Sequence, residues 1–100
     1  MKQISDRAAL VLTSLAGGDK HAYALTKDVQ EFASVTLGPG TLYAALTRLQ
    51  RDGLIERLEA EDRRCPYRIT QAGREALAQR LAESSRLASL GLQRMALGDR

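Results

Sequence analysis

The fold is decided by Gly38-Pro39-Gly40-Thr41-Leu42-Tyr43-Ala44-Ala45-Leu46-Thr47-Arg48-Leu49-Gln50-Arg51-Asp52-Gly53-Leu54-Ile55. Pro39 suits a first helical turn, where its missing N–H is not needed. Gly53 suits the residue just past a helix end. Between them Leu42, Ala45, Leu46 and Leu49 recur at helical spacing and make one apolar face. Gly40, Ala44, Thr47, Arg48 and Arg51 fall on the other. This outer face is small at its start and basic further on. Such a face suits a helix laid in a DNA major groove, where small side chains allow close approach and Arg reaches guanine edges or phosphates. Read alone, the window fits a solvated amphipathic helix equally well.

The rest of the chain supplies a context. Ile4 to Ala16 carries Ile4, Ala8, Val11, Leu12 and Leu15 at helical spacing, with Ser5 or Asp6 as a cap and Gly17-Gly18-Asp19 as a stop. His21 to about Ser34 is a second helix with Leu25, Val29 and Phe32 on one face. A brief connection leads to the third, as in a helix-turn-helix unit. After Gly53 the period changes to alternation. Ile55 to Ala60 and Cys65 to Ile69 read as two strands around the polar turn Glu61-Asp62-Arg63-Arg64, which is a hairpin. Pro66 restricts the second strand to an edge or places it at the strand start. Thr70 offers an N-cap for a last helix running to about Leu97, which would be about 40 Å long at about 1.5 Å per residue. A compact chain of this size has a radius of gyration near 13 Å, so that helix must overhang its own domain. Its apolar positions include Leu77, Leu81, Leu87, Leu90, Leu92 and Met95. They ask for a partner, and a second copy is the simplest one.

Composition narrows the function. The chain has 100 residues, 44% of them hydrophobic and 27% charged, which is ordinary for one soluble domain. No apolar run approaches the roughly 18 residues of a membrane span, and no signal-peptide core precedes the first helix; a cytoplasmic location is the expectation. Cys65 is the single cysteine and His21 the single histidine. That excludes an intrachain disulfide and gives no zinc site and no Cys–His nucleophile. Oxidation of Cys65 would disturb the neighbouring turn, but one unsupported thiol carries no redox assignment. Gly38-Pro39-Gly40 lacks the Gly-Lys-Ser/Thr ending of a phosphate cradle. No enzyme chemistry and no cofactor are indicated. Net charge is +3, a mild lean toward anionic partners.

The order helix, helix, helix, strand, turn, strand, long helix describes a mainly α chain with a small β-hairpin: a winged helix-turn-helix over residues 1–70 and a C-terminal dimerisation helix over 71–100. At this point the sequence resembles the PadR family of transcriptional regulators, over roughly residues 8–77. The resemblance rests on His21-Ala22-Tyr23-Ala24-Leu25, on Gly40-Thr41-Leu42-Tyr43, on Arg48-Leu49 leading to Gly53-Leu54-Ile55-Glu56, and on Tyr67-Arg68-Ile69-Thr70 with Gly73 and Leu77. The short tail is similar to that of family members with one C-terminal helix. Gly38 stands where the family often has a Ser cap, Ala22 replaces a frequent Gly, and Ala44 a frequent Pro. The last helix holds no aromatic residue on which a flat ligand could stack.

What the resemblance implies is a homodimeric DNA-binding regulator, usually a repressor, that releases its operator when a small-molecule effector or stress signal alters the dimer. The third helix then becomes the DNA-reading element, with Gly40, Thr41, Tyr43, Ala44, Thr47, Arg48 and Arg51 as its contacts. Arg63, Arg64 and Arg68 become contacts of the wing, with Glu59, Glu61 and Asp62 as their partners when DNA is absent. Tyr43 serves equally as a packing tyrosine, and Arg51 equally as a helix-end cation. The alternative is a winged-helix protein-interaction module without specific DNA binding. It follows from the near balance of charge over residues 1–70, with ten basic and nine acidic side chains.

Overall fold

In the computed structural model, which describes residues 3–59 and 64–98, the order is α1 (Asp6–Ala16), α2 (Ala22–Ala33), α3 (Pro39–Arg51), β1 (Ile55–Arg57), β2 (Tyr67–Ile69) and α4 (Gln71–Gly98). Ser5 is the N-cap of α1, its hydroxyl accepting from the Ala8 N–H at 3.1 Å, so the helix starts just after Ile4 rather than at it. His21 stands at the N-cap position of α2 without a side-chain cap bond. Gly38 does the same for α3, with Pro39 in the first turn as expected.

The end of α3 is a Schellman motif. The Gly53 N–H donates to the Gln50 carbonyl at 3.0 Å and the Leu54 N–H to the Leu49 carbonyl at 2.9 Å, a pairing that requires a left-handed residue between them. Gly53 supplies it with φ +73°. The same turn is bonded to the start of α4. The Thr70 N–H donates to the Leu54 carbonyl at 3.0 Å. The Thr70 hydroxyl donates to the Gly53 carbonyl at 2.7 Å and accepts from the Gly73 N–H at 3.0 Å. Thr70 therefore caps α4 and ties it to the exit of α3. Gly73 lies so close beneath that a Cβ there would sit 2.1 Å from the Leu54 carbonyl oxygen.

Between these tied ends runs the hairpin, antiparallel with Ile55 opposite Ile69, Glu56 opposite Arg68 and Arg57 opposite Tyr67. A third segment joins its outer edge. Lys20 and Tyr67 exchange backbone bonds, Lys20 N–H to Tyr67 carbonyl at 3.2 Å and Tyr67 N–H to Lys20 carbonyl at 2.9 Å. The α1–α2 connection is thus part of the wing's base. Lys20 is held there as well: its ammonium donates to the Ser14 carbonyl at 2.5 Å and lies 3.8 Å from Asp28, whose carboxylate accepts from the buried Ser14 hydroxyl at 2.6 Å.

One core collects Val11, Leu12 and Leu15 of α1, Leu25 and Val29 of α2, Leu42, Leu46 and Leu49 of α3, Ile55, Tyr67 and Ile69 of the hairpin, and Leu77. Two expectations change here. Phe32 is 46% exposed rather than on the buried face of α2, and Leu37 in the following connection is the next apolar side chain to be buried. Leu77 is 6% exposed within its own chain. The first turns of α4 pack on the winged unit, so Leu77 belongs to the intrachain core and not to the free face assigned to it. Arg80 continues this docking, its guanidinium donating to the Asp6 carboxylate, the Ile4 carbonyl and the Ser84 hydroxyl. Beyond it α4 leaves the body, and the chain measures 60 × 28 × 21 Å with a radius of gyration of 15.7 Å. Among the described residues no helix is long and apolar enough to cross a membrane.

Gly73→Ala should be costly, because the blocking atom is backbone. We expect a loss of about 3 kcal/mol, the upper end for overpacking, in urea unfolding. A loss below about 0.5 kcal/mol, within the range of an ordinary surface change, would show that α4 is not seated as described.

Candidate nucleic-acid interface

Burying Leu42, Leu46 and Leu49 fixes the rotation of α3 and so selects what it shows to solvent. Gly40, Tyr43, Ala44, Thr47, Arg48 and Arg51 are all exposed, and Thr41 is half-buried. Steps of three and four residues put these side chains on one continuous stripe along the helix. Its first turns carry no bulky group except Tyr43, which is 54% exposed. Its last turn ends in Arg48 and Arg51. Among the described residues neither arginine makes an ion pair. The outer face expected of this helix is thus exposed, apart from the half-buried Thr41.

The wing is placed differently from the expectation. Arg68 points outward from β2 but is engaged. Its Nε and Nη2 donate to the Asp19 carboxylate at 2.9–3.3 Å, and Nη1 lies 3.9 Å from Glu56 across the hairpin. The hydrogen bond to Asp19, then its charge, raise the Arg68 guanidinium above its ordinary pKa. The partners named from sequence were Glu59, Glu61 and Asp62; Glu59 makes no ion pair among the described residues, and the other two lie outside them. In the sequence Asp19 reads only as part of a helix stop. Nothing in its local sequence signals the role, which depends on the Lys20–Tyr67 pairing that brings the two loops together. Arg64 is exposed at the wing, and Arg63 lies outside the described residues.

Cys65 is half-buried. The cation beside it is Arg57, whose guanidinium is held above its ordinary pKa foremost by a hydrogen bond to the Cys65 side chain. Burial pushes the Tyr67 phenol up, so it stays neutral. No group of metal-ligating side chains occurs among the described residues. What the surface offers is a ridge of small residues, hydroxyls and arginines that make no ion pair among the described residues, a set suited to meeting a polyanion.

On α4 the expected partner face is open apart from Leu77. Leu81, Leu87, Leu90, Leu92, Met95 and Leu97 are all about half exposed or more.

The chain matches the family model described as the transcriptional regulator PadR-like family over residues 11–79. Among solved structures it is similar to a PadR family transcription regulator from Clostridium difficile R20291, with 25% identity and a TM-score of 0.80, covering 88% of this chain and 96% of that one. A transcriptional regulator from Clostridium thermocellum matches with 27% identity and a TM-score of 0.77, covering 86% and 89%. It is also 40% identical over 83 residues to a 37.1 kDa protein in transposon Tn4556 of Streptomyces fradiae, covering 83% of this chain and 24% of that protein. The chain thus spans about a quarter of the length of that relative. With the three-helix unit, the two-strand hairpin and the long last helix in place among the described residues, the chain belongs to the PadR-like family of transcriptional regulators.

Proposed function

We propose that this chain is a sequence-specific DNA-binding regulator that acts as a homodimer in the cytoplasm. Its α3 lies in the major groove and its wing lies against the neighbouring backbone. The observation that carries this reading is the exposed stripe from Gly40 to Arg51 with its unpaired arginines. Thr47 and Arg48 supply base-edge or phosphate contacts, Tyr43 a phosphate hydroxyl, and Gly40, Thr41 and Ala44 the close approach. Arg51, Arg63 and Arg64 add backbone contacts. Two copies joined through the uncovered part of α4 present two such helices to half-sites about one helical turn apart. The interface is formed by Leu81, Leu87, Leu90, Leu92 and Met95. Repression, and its release by a small-molecule or stress signal, rests on the family resemblance alone.

Arg68 plays a double part in this reading. Asp19 holds it in the free protein, and a phosphate competes for it in the complex. The pairing weakens attraction to arbitrary DNA and leaves Arg68 available when the rest of the surface fits.

Three measurements follow. Arg48→Ala should weaken operator binding more than random-duplex binding, by about 1–3 kcal/mol of discrimination if the contact is a bidentate one to guanine. Equal loss on both would reduce Arg48 to a phosphate contact. Deleting residues 87–100 should convert a sedimenting dimer to a monomer, and a truncated chain that stays dimeric would refute the α4 interface. Asp19→Asn should tighten binding to a random duplex and steepen its salt dependence by about one phosphate contact. An unchanged slope would make Arg68 purely structural.

A further inference from the structure

The start of α1 and one flank of α3 enclose an open groove of about 860 Å³. Its floor is apolar, with Ile4, Ala8, Ala45, Leu49 and Leu54, and its rim carries Arg7 from α1 with Arg48 and Arg51 from α3. Among the described residues that line it, Asp52 is the one acid. Arg7 is exposed and, among the described residues, has no ion pair. Its neighbour Asp6 is taken by Arg80 on the other side of the chain. Three guanidinium groups without an ion pair among the described residues thus border one groove that shares its α3 wall with the DNA-reading stripe.

We propose that this groove is a track for the DNA sugar-phosphate backbone and that Arg7 is a phosphate contact. The inference rests on the DNA-binding reading above. Charge selects the occupant. A second copy would offer the free part of α4, where residues 81–98 carry Arg86 and Arg94 against the single acid Glu83, a net positive charge that gains little from a cationic rim. A small organic anion is normally enclosed over most of its surface, whereas this groove is open along the helix. The groove reaches from Gly40 to Asp52, a rise of about 18 Å at about 1.5 Å per residue. That suits a strand with a charge at every nucleotide, and the apolar floor suits the sugar faces between them. Arg48 then stands at the boundary between groove and stripe, and Arg7 and Arg51 fix register without reading sequence.

The test uses the full chain and measures Kd by fluorescence anisotropy against salt, on an operator and on a random duplex, for wild type, Arg7→Ala and Arg7→Lys. Arg7→Ala should lower the salt slope by about 0.9 and weaken both duplexes alike, by about eightfold near 0.1 M salt. Arg7→Lys should keep the slope, and sedimentation should show an unchanged dimer. An Arg7→Ala protein with wild-type affinity and slope would overturn the assignment. Loss of the dimer in that variant would give the groove to a second copy. Unaltered DNA binding with loss of thermal stabilisation by benzoate would give it to an organic anion. Wild-type protein that binds neither duplex would instead refute the DNA-binding reading itself.

Discussion

The structure depends on one junction, where the exit of α3 meets the entry of α4. The Gly53 and Leu54 carbonyls both accept from Thr70, one from its hydroxyl and one from its N–H. Gly73 lets the two segments approach to a distance that no side chain permits. The junction satisfies orphan groups at two helix ends together, which matters because buried unpaired carbonyls and N–H groups are expensive. It also closes the base of the hairpin, since β1 begins one residue after Leu54 and β2 ends one residue before Thr70.

From that junction the remaining geometry follows. The hairpin is held at the end of α3, and the Lys20–Tyr67 pairing anchors its outer edge to the α1–α2 connection. α3 is fixed in rotation by three buried leucines, each worth about 1.5–3 kcal/mol of transfer free energy when fully buried. The exposed stripe is the complement of that burial. α4 is seated through Gly73, Leu77 and Arg80, and the rest of it leaves the body with its leucines uncovered. The exposed stripe of α3 and the uncovered leucines of α4 therefore emerge from the same constraint.

Much of this was legible in the chain. The Pro39 start, the Gly53 stop and the Thr70 cap are local signals, and each has its expected place in the structure; the two strands stand where the change of period puts them but are shorter than expected, Ile55–Arg57 and Tyr67–Ile69, and only β2 alternates in burial. The buried and exposed faces of α3 follow from a helical period with few exceptions. What was not legible depends on pairs distant in sequence. Asp19 as the partner of Arg68, Arg57 as the neighbour of Cys65, and Arg7 beside Arg48 arise only when loops and helices meet. Leu77 carries the same apolar periodicity as Leu81 and Leu92, so periodicity alone does not divide the inward turns of α4 from the outward ones. Phe32 has the spacing of the buried face but lies at the end of α2, which stops at Ala33, and Leu37 is the next side chain to enter the core.

The central claim is that the exposed face of α3 reads a DNA sequence. Fluorescence anisotropy at near-physiological salt tests it most directly, comparing the DNA just upstream of this protein's own gene with a scrambled duplex of equal length. The account predicts a preference of at least about a thousandfold for the upstream DNA. Equal and weak binding to both duplexes would contradict it and favour a winged helix that has turned to protein partners.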